Sequence, residues 1–131
     1  VCNLNIDMIG RIDPAKEDNP NYIYLIGSNK LSQELQDVSS EANTKYTQLK
    51  LDYKYDDPDD PNRFYYRSDH YNFAKNDVPI IFYFNGVHAD YHKISDTPDK
   101  IEYDLMEKRT KLIFHTAWEL ANRESRITVD Q

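Results

Sequence analysis

The chain has a single cysteine among its 131 residues. Cys2 therefore has no partner for an internal disulfide, and a lone cysteine does not fix the redox compartment. Glycine numbers only three, and no glycine-rich phosphate loop appears. There is no Cys-x-x-Cys pair, no internal repeat and no low-complexity tract, and no apolar run approaches the length needed to span a bilayer. Positive charge is short as well: 16 Lys and Arg against 23 Asp and Glu leave a formal net charge of −7. That balance argues against nucleic acid and against anionic membrane surfaces as partners. The chain opens on Val1 with strand-like residues, showing neither an initiator Met nor a leader pattern, which leads us to expect that something upstream has been removed.

What is present is enough for one domain or a piece of one. Hydrophobic residues make up 39% and eleven are tyrosines, so a core can form. Val1–Ile6 reads as a short strand that breaks at Asp7-Met8-Ile9-Gly10. An aspartate there serves either as a turn-former or as a metal ligand. Tyr22–Ile26 is a buried-type strand. Leu31, Leu35, Val38, Ala42 and Tyr46 follow at helical spacing, with Ser28 or Asn29 as the cap. Leu49–Tyr55 alternates as a half-wetted strand near a sheet edge. Asp56–Asn62 has four aspartates in five residues without the ligand spacing of a calcium loop, and reads as a solvated acidic turn.

Ser68 is positioned to cap a short helix from Asp69, with Tyr71, Phe73 and Ala74 inward and His70 as a packed or hydrogen-bonded histidine. Pro79–Phe84 is too apolar to be anything but a buried strand. Where it ends, Gly86–Ile101 crowds histidines, aspartates, a tyrosine and a threonine into one loop, the place where an open α/β sheet puts its chemistry. His88 and His92 are four apart, but the surrounding Gly86, Asp90 and Pro98 argue against a helix. His88 reads as structural and His92 as a ligand, with Asp96 placed to accept its second ring proton. A last helix spans Tyr103–Asn122, with Met106, Ile113, Ala117 and Leu120 inward, helped by Leu105 and Leu112. Phe114 and Trp118 form an aromatic pair four apart, and Arg123–Gln131 is a polar tail.

Three blocks in order, NIDMIGR, RSDHYNFAK with PIIFYF, and GVHADYHKISDTPDKI, resemble the two-zinc aminopeptidase family. That group includes bacterial leucyl aminopeptidases, glutamate carboxypeptidases and, more distantly, glutaminyl cyclases. The resemblance implies an α/β fold, a three-layer α/β/α sandwich with a mixed sheet, of which residues 1–131 would be the C-terminal part of one catalytic domain. It implies a zinc-dependent exopeptidase, hydrolysing peptide substrates through a water activated by two zinc ions. Asp7 would hold one ion and His92 the other, while Tyr91 would donate to the developing oxyanion. Asp69, His70 and Asp96 would support the ligands or line the substrate cleft. An exported, periplasmic or extracellular location is favoured by the resemblance alone.

The departures are specific. The family's His-x-Asp pair in a strand, whose aspartate bridges the metals, and its Glu-Glu pair, which supplies the general base, are both missing. The chain by itself is therefore expected to be inactive, not to bind zinc stably, and to self-associate through surface that a missing half would cover. Two other readings stay open: a non-catalytic peptidase-like binding module, and a glutaminyl cyclase-like transferase. Tyr91 stands where the cyclases have tryptophan, which favours the peptidase.

Overall fold

A computed structural model describes residues Val1–Gln131. Four strands form one mixed sheet: β1 (Asn3–Ile6), β2 (Tyr22–Ile26), β3 (Lys50–Asp52) and β4 (Ile80–Phe84), in the order β1-β4-β2-β3. β1 runs parallel to β4 and β3 parallel to β2, while β2 and β4 are antiparallel. The two central strands, YIYLI and IIFYF, are buried along their whole length. Runs without a polar alternation are what a strand covered on both faces requires.

Alternate residues of those strands feed two cores. On one face Ile23, Leu25, Ile81 and Tyr83 meet Leu35 of α1 (Gln33–Ala42) and Leu112 and Ile113 of α3 (Tyr103–Asn122). On the other, Tyr22, Tyr24, Phe82 and Phe84 pack with Phe64 in an aromatic cluster. A five-residue helix, α2 (His70–Ala74), lies against β1 and β4. The α/β class with a mixed sheet is as the sequence led us to expect.

Several local expectations are corrected. Ser32, not Ser28 or Asn29, caps α1, accepting from the Leu35 amide at 3.3 Å. α1 ends in a wide turn over Asn43–Thr47, which leaves Tyr46 48% exposed instead of inward. The strand expected over Leu49–Tyr55 is confined to Lys50–Asp52, but it does lie at the sheet edge. α2 is too short to bury a broad face: His70 and Ala74, one turn apart, point in and Phe73 points out. On α3 the buried line is Arg109, Leu112, Ile113 and Thr116, so Ala117 falls outside it. Phe114 and Trp118 stack at 5.9 Å on the outer face of that helix. No helix is long and apolar enough to cross a membrane.

Candidate functional site

Parallel neighbours deliver their carboxyl ends to the same edge of a sheet. β1 and β4 are such a pair, with Ile6 opposite Tyr83. The turn after β1 and the long loop after β4 therefore meet. Together they wall a cleft of about 550 Å³ whose lining includes Asp7, Tyr91, His92 and Asp96. Ile9, Ile101 and Met106 supply part of its apolar floor.

The turn after β1 is tightly specified. Met8 adopts φ 65°, a left-handed conformation that reverses the chain immediately after Asp7. The Met8 carbonyl accepts from the Asn85 amide at 2.8 Å, and the Asn85 side-chain oxygen accepts from the Arg11 amide at 3.0 Å. Asn85 is fully buried, and its carbonyl accepts from the Tyr22 hydroxyl. Arg109, also fully buried, donates from α3 to the carbonyls of Ile9, Arg11 and Tyr22 at 2.9, 2.8 and 3.0 Å. Its guanidinium sits 4.8 Å over the Tyr22 ring.

Asp7 is exposed, and one of its oxygens accepts from the Ser68 hydroxyl at 2.7 Å. Ser68 in turn accepts from the Asn5 side chain at 3.0 Å, and Asn5 reaches His70 Nδ1 at 3.3 Å. Ser68 thus orients Asp7 and does not cap α2, which has no side-chain cap at all. Asp69 lies at that uncapped end, exposed and outside the cleft lining.

His70 is fully buried, with its ring stacked on Phe82 at 4.6 Å. Its Nε2–H donates to the Tyr65 carbonyl, which leaves Nδ1 to accept from Asn5. Burial pushes its pKa below the ordinary 6.5. As pH falls past about 6.5, the unfolded chain takes up this proton before the folded one does. His70 therefore contributes its full stability above that pH, and the contribution shrinks from there down to the lower folded-state value. In urea denaturation between about pH 7 and 5, the native chain should lose stability more steeply than His70→Gln. Equal slopes would mean that His70 does not titrate differently on folding.

In the second loop His92 is exposed with φ 56°, and the Tyr91 ring stacks on it at 3.8 Å. Asp96 was expected to orient His92; its carboxylate instead accepts from Arg11 Nη1 at 2.7 Å. Arg11 Nη2 takes Asp90 at 2.6 Å, and hydrogen bonding from Arg11 holds the Asp90 carboxyl well below the usual range. His88 is nearly buried, accepts at Nδ1 from the Asp90 amide, and is pushed down in pKa chiefly by burial.

One carboxylate and one imidazole facing a common cleft are donors of the type that zinc takes, and Asp7 already has an outer donor holding it. No group of three or more His, Cys, Asp or Glu side chains gathers to complete such a site. Ser68 reads in the sequence only as a helix cap, and Asn5, Arg11 and Arg109 carry no assignment there. Only Arg109 left a signal, lying four residues after Leu105 and three before Leu112, on the inward line of α3.

Comparison with known proteins follows the same direction. The model of peptidase family M28 matches residues 1–117. The LapA aminopeptidase of Legionella pneumophila superposes with a TM-score of 0.72 at 20% identity, over 95% of this chain and 32% of that one. BSAP, a zinc aminopeptidase from Bacillus subtilis, gives 0.65 at 18% identity over 98% and 31%. An aminopeptidase from Aneurinibacillus sp. strain AM-1 gives 0.64 at 18% identity over 100% and 28%. The chain spans less than a third of the length of each of these structures. No curated protein matches it.

Proposed function

Because the chain belongs to peptidase family M28, we propose that it is the C-terminal part of the catalytic domain of a zinc-dependent exopeptidase of the aminopeptidase type. The observation that supports this best is the meeting of Asp7 and His92 on one cleft, at the ends of adjacent parallel strands. In the intact enzyme Asp7 would hold one zinc ion and His92 the other. Bound zinc supplies an activated water and polarises the scissile carbonyl. The chain's own residues do the rest of what is visible. Ser68 fixes the rotation of the Asp7 carboxylate. The ring of His92 holds Tyr91 by stacking, and the Tyr91 hydroxyl is the donor for the oxyanion that develops on the substrate carbonyl.

The bridging ligand and the general base lie outside this chain, so the purified 131-residue chain should not hydrolyse an amino-acid p-nitroanilide even with added zinc. In the intact enzyme Ser68→Ala should weaken zinc binding about 10- to 100-fold, as loss of an outer partner of a ligand typically does. Competition with a chelator measures it. Retention of full zinc content and turnover in Asp7→Ala and His92→Ala would remove the reading.

A further inference from the structure

The loop Val87–Asp96 bears Tyr91 and His92 but has no regular secondary structure. Its internal order consists of short turns: the amides of Tyr91, Lys93 and Asp96 donate to His88, Asp90 and Lys93 carbonyls at 3.1, 2.9 and 3.1 Å. Such turns fix local shape, yet they do not fix where the loop sits relative to the rest of the site. Side-chain hydrogen bonds that reach it from outside come from only two residues, Arg11 and Lys100. Lys100 belongs to the same connection, a few residues downstream. Arg11 alone crosses from the turn that carries Asp7.

We propose that Arg11 is a positioning residue: its guanidinium forks between Asp90 and Asp96 and sets the Tyr91–His92 loop against the Asp7 turn. The role rests on the reading of Asp7 and His92 as metal-holding residues. Arg11 is anchored at both backbone ends, its amide on the buried Asn85 and its carbonyl on the buried Arg109. The Arg11 and Asp90 side chains are 18% and 16% exposed, so that pair is shielded from part of the screening that makes surface pairs weak, whereas Asp96 is 44% exposed and its pair is the more screened of the two. The planar fork presents separate N–H groups to two carboxylates on either side of His92. A lysine ammonium is a point charge and cannot reproduce that geometry. Lys100, at 3.1 Å from the second Asp90 oxygen, leaves Asp90 with a cation on each oxygen.

The test begins with amide hydrogen exchange on the intact enzyme, followed at the amides of this loop and of β4. In Arg11→Gln the Tyr91, Lys93 and Asp96 amides should exchange at least about tenfold faster, while the β4 amides stay as they are. Arg11→Lys should fall between, and Asp96→Asn should reproduce part of the effect from the other side. In the intact enzyme Arg11→Gln should lower kcat about tenfold or more with KM little changed, because Arg11 positions groups needed in the transition state. Unchanged loop exchange in Arg11→Gln, or full rescue by Arg11→Lys, overturns the fork. Faster exchange with undiminished kcat overturns the positioning role. A wild-type enzyme without metal-dependent hydrolysis overturns the peptidase reading first, in the control, and the role with it.

Discussion

Tyr91→Phe in the intact enzyme should reduce turnover about a hundred- to a thousand-fold. A preorganised donor aimed at an oxyanion typically contributes about 2.7–4 kcal/mol to the transition state. Such a donor must be held still before the charge develops. Tyr91 meets that condition through its stack on His92, with ring planes 22° apart, and through its place on the cleft wall. The substitution removes the hydroxyl and keeps the ring, so the stack survives. Zinc content and melting temperature should barely move. A rise in KM with kcat intact would mean uniform substrate binding instead. Unchanged turnover would make Tyr91 a packing residue.

Arg109→Ala should cost the folded chain several kcal/mol, read as a drop in denaturation midpoint at constant m-value. Two effects oppose each other at this residue. Burial disfavours the guanidinium and lowers its pKa, no carboxylate pairs with it, and its second Nη has no partner. Against that stand three carbonyl contacts, those to Ile9 and Tyr22 buried and that to Arg11 partly so, and the face of Tyr22. Each buried acceptor stripped of its donor costs about 1–3 kcal/mol, so the contacts outweigh the desolvation once the fold is made. The loss is a large part of the roughly 5–15 kcal/mol that holds a domain folded. It falls on the turn behind Asp7, because two of the carbonyls belong to Ile9 and Arg11. A change below about 1 kcal/mol would mean that water replaces the side chain without cost.

The parts of this molecule legible from sequence are those where one local pattern decides. YIYLI and PIIFYF had to be buried strands, and the periodic run from Tyr103 to Asn122 is a helix over just those residues. Only the family resemblance put Asp7, Tyr91 and His92 at one site; the adjacency of β1 and β4 that brings them and Asp96 to one cleft is visible in the structure alone. What escaped was set by partners distant in the chain. Ser68 looks locally like a cap, yet a carboxylate sixty-one residues away claims its hydroxyl. Asp96 is close enough in sequence to serve His92, but Arg11 offers a charge and wins it. A capped helix from Asp69 would turn Phe73 inward, whereas the short α2 leaves it exposed.

The most direct test of the account is anomalous diffraction at the zinc edge from crystals of the intact enzyme. It should show one zinc about 2.0–2.1 Å from a ring nitrogen of His92 and another about 2.0–2.2 Å from a carboxylate oxygen of Asp7. Zinc bound with neither His92 nor Asp7 within coordinating distance would contradict it.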